Sequence, residues 1–492
     1  MLSQINRIAH EFPNSLFSLN PKCTYLELER RIEAVSEQIQ HLANQVLVVL
    51  ASNTLNHVIL ALACLRTGVI YAPLNSSVSS LQLENIFSKY KFRNLYVDCS
   101  TTVQPPTGAK QIKINFNYCI PCSAVYPVVN IDENKISNLI FTSGSTGTPK
   151  AVAHNLKAHI ASALGSETNI PIKNSDRYLF TLPIFHIGGY AIIIKTIMAQ
   201  SCIVFPSGSR ELDRDILKFN ITHLSLVPTQ LFRLFEKGFT FKESQVSYLL
   251  LGGASIPRDL LTKCLKQNIN PFISYGLSEM ASQVCTKQIT MSNISETDTG
   301  IILPYREVKI SSGGEILVKG DTLFMGYYNG NTIDLNLDSD GFFHTRDRGE
   351  LISLNGKNVL KVTGRLDNQF ISGGENIQPE EIEKIMLTNP EINRCLIIGI
   401  PDKEWGSKVI ALVETNLSKQ QLYNFCKANL LRHQVPKNFY PINALNINFD
   451  FKIKRREIQQ QLGYYSQSLQ SIKIDQCHTR KGYPEVSITE TS

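Results

Sequence analysis

A loop of glycines and hydroxyl side chains that directly follows an apolar segment is the most informative stretch of this chain. Residues 136–141 are apolar apart from Ser137 and Asn138 and predict a buried strand. Every residue from 142 to 148 is Thr, Ser or Gly, and Lys150 follows. Glycines let the backbone approach an anion, while the hydroxyls and the lysine add donors and charge. The stretch therefore predicts a phosphate-binding loop at the end of a strand.

A flexible turn is the alternative interpretation of this stretch. It is not a Walker A sequence, because no Gly-Lys-Ser/Thr follows four residues after a glycine. A flexible turn would use the same small residues without binding anything. Polar residues at the ends of further strands are needed to separate a ligand site from a turn.

The order of apolar segments predicts an α/β fold. A strand at residues 45–50, an apolar helix at 57–67 that ends at Gly68, and a second strand at 69–74 form a strand-helix-strand unit. This order is typical of parallel sheets covered by helices. With 492 residues, the chain has room for about three compact units or one large enzyme with several subdomains.

Composition argues against several classes of protein. The net charge of +7 is spread along the chain and only residues 452–456 are densely basic, so no nucleic-acid surface is indicated. No apolar stretch reaches the roughly 18 residues of a membrane helix.

Eleven scattered cysteines without a signal-peptide pattern predict reduced thiols in the cytoplasm. Cys119 and Cys122 have redox spacing, but no thioredoxin-like pattern or second cysteine pair accompanies them.

Two later strands also end in small or polar residues. The apolar residues 248–251 run into Gly252-Gly253-Ala254, which leaves room for a flat ligand against the backbone. The strand near residue 272 runs into a Tyr-Gly-Leu-Ser segment that ends at Glu279. A carboxylate beside a triphosphate is favourable only with a metal ion between them. On residue type alone these strand ends are compatible with a ligand site, and a turn remains the alternative for the loop at 142–148.

Four ordered motifs resemble those of the adenylate-forming superfamily, which comprises acyl- and aryl-CoA ligases, luciferases and peptide-synthetase adenylation domains. They lie at residues 141–150, 271–280, 362–377 and 451–455, with a Thr-x-Asp element at 345–347. The resemblance implies an α/β N-terminal domain of stacked αβ subdomains and a small β-barrel-like subdomain. A small, mobile α+β C-terminal domain would follow. The implied bounds are residues 1–365 for the first domain, 366–368 for a hinge, 369–465 for the second domain and 466–492 for a polar tail.

The resemblance also implies ATP, Mg²⁺ and CoA as ligands and assigns residues to them. Glu279 would hold Mg²⁺, Asp347 would bind the ribose, and Asp367 would be the hinge pivot. Gly373 and Gly374 would line the path of CoA. The implied ATP and AMP contacts are Thr142, Ser143, Gly144, Ser145, Thr146, Gly147, Thr148, Lys150, Gly252, Gly253, Ala254, Tyr275, Gly276, Ser278, Asp347 and Arg365.

The catalytic lysine of the family corresponds to Lys452, with Thr142 and Glu279 as the other implied catalytic residues. Phe451 replaces the glycine that usually precedes this lysine, so the sequence departs from the family here. Lys454 is the rival candidate, and a basic run can also be a solvated surface. Which lysine acts is a prediction that mutation can test.

The acyl pocket is the least constrained part of the site. By resemblance, His186, Gly253 and Ser278 would border it. The segments that flank the motifs are most similar to ligases for an aromatic acid with two carboxylates, and a second buried carboxylate needs a basic partner. Lys195, nine residues after His186 in an otherwise apolar helix, is the candidate. The alternative is a surface lysine with a buried stem.

The resemblance implies an AMP-forming acid–thiol ligase. The nearest alternative is another acyl- or aryl-CoA ligase. A peptide-synthetase adenylation domain is disfavoured because Gly373-Gly374 suits free CoA, and a catalytically inactive nucleotide-binding protein is disfavoured by the retained Lys452, Glu279, Asp347 and Arg365. The sequence leaves open whether the chain forms a homodimer or a homotetramer.

Overall fold

The structure is a computed structural model, and it describes residues 2–98, 101, 103–118, 132–142, 149–208, 211–254, 256–296, 298–354, 356–372, 375–402, 405–442, 455, 458 and 459. The helices in this part of the chain are α1 (Leu2–Glu11), α2 (Tyr25–Ile39), α3 (Leu55–Thr67), α4 (Ser80–Tyr90), α5 (Leu156–Glu167), α6 (Ile187–Met198), α7 (Leu212–Lys218), α8 (Pro228–Glu236), α9 (Arg258–Lys266), α10 (Pro379–Met386) and α11 (Lys419–Asn429).

The strands alternate with these helices in the first part of the chain and dominate the later part. They are β1 (Leu16–Leu19), β2 (Lys22–Thr24), β3 (Val46–Leu50), β4 (Ile70–Leu74), β5 (Asn94–Val97), β6 (Lys110–Gln111), β7 (Ile136–Thr142), β8 (Lys150–Asn155), β9 (Arg177–Leu179), β10 (Cys202–Val204), β11 (His223–Leu226), β12 (Tyr248–Leu251), β13 (Phe272–Leu277), β14 (Ser282–Gln288), β15 (Gly300–Ile302), β16 (Glu307–Ile310), β17 (Glu315–Lys319), β18 (Gly326–Tyr328), β19 (Ile333–Asp334), β20 (Phe343–Leu354), β21 (Lys357–Arg365), β22 (Phe370–Ser372), β23 (Glu375–Ile377), β24 (Ile392–Asp402), β25 (Gly406–Thr415) and β26 (Asn438–Pro441).

The chain divides into two compact units. The first comprises Met1–Thr345 and Gly349–Val362, and the second comprises Arg346–Arg348 and Thr363–Ser492. The large sheets belong mainly to the first unit. The second unit contains the three-stranded sheet β24-β25-β26 and the hairpin β22-β23.

An eight-stranded sheet in the order β19-β18-β8-β7-β4-β3-β5-β6 contains the predicted strand-helix-strand unit. All of β3 is buried, because an unbroken Val and Leu run can cover both faces of a parallel strand. Helix α3 connects β3 to its parallel neighbour β4. The Thr54 hydroxyl accepts from the His57 N–H at the start of α3, and Gly68 ends the helix with φ of 71°.

A thirteen-stranded sheet in the order β16-β17-β20-β21-β15-β14-β13-β12-β11-β9-β10-β1-β2 forms the rest of the framework. Strands β11, β12 and β13 are parallel, and Leu226 pairs with Leu251, which pairs with Ile273. The carboxyl ends of these strands therefore lie at one edge, where ligands of open α/β sheets bind. Strand β14 then runs antiparallel to β13.

The main hydrophobic core lies between the two sheets. It consists of apolar residues from helices α1, α2, α3 and α6, packed on β3 and β4 from one sheet and on β9 and β10 from the other. Because strand residues alternate between faces, each sheet also has an outer face. Helix α4 covers the outer face of the eight-stranded sheet. Helices α7, α8 and α9 cover the outer face of the parallel strands in the thirteen-stranded sheet.

The second unit has its own core on both faces of its sheet. Ile382 and Met386 of α10 and Leu422 of α11 pack on one face of β24 and β25. Leu396 and Ile410 belong to a smaller cluster on the other face. This unit therefore has its own buried apolar clusters.

Candidate active site

The residues on either side of the predicted phosphate loop are adjacent across a strand pair. Strands β7 and β8 are antiparallel, and Thr142 pairs with Lys150. The Lys150 ammonium lies 4.6 Å from the centre of the Tyr327 ring, close enough for a cation–π contact. The loop residues Ser143, Gly144, Ser145, Thr146, Gly147 and Thr148 lie outside the described residues.

Tyr327 of strand β18 contacts both Glu279 and Lys150. Strand β18 pairs with β8, and Tyr327 lies opposite Val152. The Tyr327 hydroxyl donates to Glu279 Oε1 at 2.8 Å, and the Phe324 N–H donates to the Glu279 carbonyl at 2.8 Å. A half-buried carboxylate that contacts the same tyrosine as Lys150 fits a Mg²⁺ ligand, since Mg²⁺ is usually bound by one or two carboxylates and substrate phosphates.

Tyr327 was missed by the sequence reasoning, and a mutation can measure its contribution. Tyr327→Phe removes only the hydroxyl that holds Glu279. We expect the KM for MgATP to rise about fivefold, corresponding to about 1 kcal/mol for one hydrogen bond to a charged group that is partly exposed. Steady-state kinetics measure this change.

Tyr328→Phe is the matched control, because the Tyr328 hydroxyl donates instead to the Gly330 carbonyl at 2.9 Å. Equal KM values for MgATP in the two variants would show that the Tyr327 hydroxyl does not position Glu279.

Glycines at the ends of β12 and β13 bring backbone segments close together. Gly252 lies against Ser274, and a Cβ at Gly276 would lie 2.1 Å from the Ser282 carbonyl oxygen. Gly253 has φ of 82°, which favours glycine. Gly253 and Ala254 are exposed and Tyr275 is half-buried. The structure thus brings all these predicted residues to one sheet edge, with the open surface that a flat base requires.

The backbone of Ser278 accepts a hydrogen bond from a histidine that the sequence analysis did not select. His154 Nε2 donates to the Ser278 carbonyl oxygen at 2.7 Å. Burial lowers the pKa of His154 to about 4, so its ring is neutral near pH 7. This contact joins the end of β8 to the Ser278-Glu279 segment. A histidine in an apolar strand was the available signal, but it has no local partner that would have revealed its role.

Two of the four candidates for the acyl pocket lie at opposite ends of helix α6. His186 is the exposed residue that precedes the helix, and the loop before it is held by the Asn53 amide, which donates to the Leu182 carbonyl at 2.9 Å. Lys195 is buried near the helix C-terminus. Nine residues of helix separate them by roughly 13 Å along the axis.

Lys195 is buried beside the strand that pairs with β13. Its ammonium donates to Gln283 Oε1 at 2.7 Å, and Gln283 pairs with Gly276. Burial, with a smaller contribution from the positive charge of Arg306, lowers the pKa of Lys195 to about 7. Lys195 is therefore not a surface lysine, and it adjoins the segment that contains Tyr275 and Ser278.

The second unit holds the residues predicted for the ribose and the hinge. Arg365 Nη1 donates to Asp347 Oδ1 at 3.1 Å, and Arg365 Nη2 donates to Asp367 Oδ2 at 3.3 Å. Asp347 is buried, while Arg365 and Asp367 are each about 40% exposed at the side chain. Gly373, Gly374 and Lys452 lie outside the described residues.

The described residues contain no group of three or more His, Cys, Asp or Glu side chains placed to hold a metal ion. None of the helices that the structure describes is long and apolar enough to cross a membrane.

The family profiles match two consecutive parts of the chain. The profile of the AMP-binding enzyme family matches residues 6–328, which is more than half of the chain. The profile of the AMP-binding enzyme C-terminal domain matches residues 381–451. This protein belongs to the AMP-binding enzyme family.

Comparison with individual proteins gives more specific similarities than the family profiles do. The chain is 33% identical over 406 residues to the 2-succinylbenzoate–CoA ligase of Salmonella typhimurium strain LT2, covering 81% of this chain and 83% of the relative. It is similar to o-succinylbenzoate CoA synthetase (MenE) from Bacillus subtilis in complex with the acyl-adenylate intermediate OSB-AMP, with a TM-score of 0.78, 26% identity and coverage of 93% and 98%. The same B. subtilis enzyme in complex with ATP and magnesium ion also has a TM-score of 0.78, with 25% identity and coverage of 93% and 99%.

Proposed function

We propose that this protein is an ATP-dependent ligase that activates the succinyl carboxylate of 2-succinylbenzoate as an acyl-adenylate and transfers the acyl group to CoA, a step of menaquinone biosynthesis. The observation that supports this proposal is the contact of both Glu279 and Lys150 with Tyr327, in a chain similar throughout most of its length to 2-succinylbenzoate–CoA ligases. The proposed substrates are 2-succinylbenzoate, ATP and CoA, with Mg²⁺ as the metal ion.

The first half-reaction joins two anions, so it depends on charge neutralisation and alignment. The substrate carboxylate oxygen attacks the α-phosphorus of ATP, and the bond to pyrophosphate breaks. Lys452 supplies a positive charge in this step, and the hydroxyls of residues 142–148 hold the departing pyrophosphate. Bound Mg²⁺ would neutralise phosphate charge, and Glu279 is the residue that would hold it.

The second half-reaction transfers the acyl group to sulfur. The CoA thiolate attacks the acyl carbon and AMP leaves. Lys452 is no longer needed and the thiol requires a path, which we propose passes Gly373 and Gly374. We propose that residues 369–465 rotate as a domain about Asp367 between the two steps.

The acyl pocket is proposed to extend from His186 and Gly253 to Ser278 and Lys195. The position of Lys195 on Gln283, opposite Gly276, supports contact with the aromatic carboxylate. A buried lysine with a lowered pKa is costly to charge, and an anionic ligand would offset that cost.

A pH profile tests Lys195. Because its pKa is about 7, the free protein loses the ammonium charge as the pH rises through 7, and carboxylate binding weakens. We expect the KM for 2-succinylbenzoate to rise about fivefold between pH 7 and pH 8 in the parent chain. In Lys195→Met the KM should be higher at pH 7 and should change little with pH.

Lys173→Met is the control, because Lys173 is exposed. It should retain the parent profile. A Lys195→Met variant with the parent's KM and the parent's pH profile would remove Lys195 from the acyl pocket.

A panel of carboxylic acids tests the substrate assignment. Pyrophosphate release should be fastest with 2-succinylbenzoate, and benzoate, succinate and fatty acids should be poor substrates. Faster release with another acid would support the alternative, a different acyl- or aryl-CoA ligase.

We also propose a cytoplasmic location, on the basis of the scattered thiols, and leave open homo-oligomerisation.

A further inference from the structure

A charged cluster in the second unit surrounds Arg455. Its Nη2 donates to both carboxylate oxygens of Glu383 at 2.6 Å, and its Nη1 donates to Glu380 Oε1 at 2.9 Å. Its Nε donates to the Ile397 carbonyl oxygen at 3.4 Å. The Arg455 and Glu383 side chains are only 11% and 13% exposed. A guanidinium with this many partners fixes the position of its own backbone closely.

Glu380 connects this cluster to the hinge segment. The Asn368 amide donates to Glu380 Oε1 at 2.6 Å, and the Gln378 amide donates to Glu380 Oε2. The Gln378 amide also donates to the Arg365 carbonyl oxygen at 3.1 Å. Since Arg365 donates to Asp347, hydrogen bonds run without a break from the proposed ribose carboxylate to the partners of Arg455.

The Gln378 and Glu380 side chains pack closely against the backbone of Gly364. A Cβ at Gly364 would lie 2.3 Å from Gln378 Nε2 and 2.7 Å from Glu380 Oε2. A side chain at position 364 would have to displace the ends of these two side chains. Glu380 and Gln378 are therefore held against the end of β21, next to Arg365.

We propose that Arg455 is a positioning residue for adenylate formation, because it fixes the chain three residues after Lys452 to the cluster that contains Asp347 and Arg365. Three residues span at most about 10 Å, so an anchor at Arg455 restricts where the Lys452 backbone can lie. The proposal rests on the proposed function, which assigns Lys452 to the first half-reaction. It adds a residue outside the substrate contacts that sets the geometry of that step.

The competing explanation is that Arg455 only stabilises the fold of the second unit. Removing one partner of a buried ion pair is usually destabilising, so lost activity alone would not separate the two explanations. The half-reactions do separate them. A fold defect would impair both steps, because the second unit also carries Gly373 and Gly374, whereas an anchor for Lys452 matters only for adenylate formation.

The experiment measures both half-reactions in the full chain. Adenylate formation is followed by ATP–pyrophosphate exchange with the acid that the parent chain activates best. Thioester formation is followed separately, from chemically prepared acyl-adenylate and CoA. The variants are Arg455→Met, Arg455→Lys and the control Arg394→Met. Arg394 pairs with Glu414 at 3.2 Å on the exposed surface of the same unit.

We expect Arg455→Met to slow adenylate formation at least tenfold while thioester formation changes less than twofold. Arg455→Lys should recover part of the loss because it keeps the charge, and Arg394→Met should match the parent in both steps. A parallel loss of both half-reactions in Arg455→Met, or no loss in either, would overturn the proposal. Failure of 2-succinylbenzoate as the acid would overturn the proposed substrate but leave the comparison of the Arg455 variants intact.

Discussion

Replacing Lys452 with alanine is expected to slow adenylate formation by about 10²–10³-fold, the usual effect of removing one preorganised charge from a transition state. The reaction brings a carboxylate to a triphosphate, so the lost positive charge matters most at the transition state. Pre-steady-state measurement of adenylate, or pyrophosphate exchange, detects this loss. Thioester formation from prepared acyl-adenylate should remain close to the parent rate.

Lys454→Ala is the matched control, since Lys454 lies two residues away in the same basic segment. It should retain most of the activity. If Lys454→Ala loses adenylate formation and Lys452→Ala does not, the assignment moves to Lys454, and the replacement of glycine by Phe451 will have shifted the functional position.

Replacing Glu279 with glutamine is expected to lower kcat/KM for MgATP by about 10²-fold. An amide oxygen is a weaker Mg²⁺ ligand than a carboxylate, although it can still accept the Tyr327 hydrogen bond. The Mg²⁺ concentration that gives half-maximal activity should rise. Calorimetric titration with ATP, at low and high Mg²⁺, measures the same effect without turnover.

Glu350→Gln is the control, because Glu350 is an exposed carboxylate 3.2 Å from Lys361. It should behave like the parent chain. An unchanged Mg²⁺ dependence of ATP binding in Glu279→Gln would contradict the placement of the metal ion at Glu279.

The sequence predicted the parts of the fold and the site that depend on local pattern. The apolar run of β3 is too short for a typical helix and is a strand buried on both faces, and Gly68 ends α3 because it adopts a positive φ. The strand ends at Gly252 and Glu279 were identified by residue type and order. These features need no knowledge of distant contacts.

Contacts between distant segments could not be read from the sequence. Tyr327 reaches Glu279 across 48 positions, and His154 reaches Ser278 across 124. Each looks like an ordinary aromatic or polar residue of a strand until the sheet brings the segments together. Arg455 was part of a recognised motif, but its carboxylate partners on α10 are more than 70 positions away.

The environment of Lys195 also could not be predicted from the sequence. Sequence pattern left it between a surface residue and a buried cation, because a lysine at one helix position is compatible with both. Packing of α6 against β14 buries Lys195, and this burial lowers its pKa.

Formation of the CoA thioester from 2-succinylbenzoate, ATP and CoA, followed by mass spectrometry, tests the proposed activity most directly. We expect a thioester that requires ATP and CoA together, with AMP and pyrophosphate as co-products, and we expect its loss in Lys452→Ala. Absence of the thioester with 2-succinylbenzoate, together with adenylate formation from a different acid, would contradict the assigned substrate.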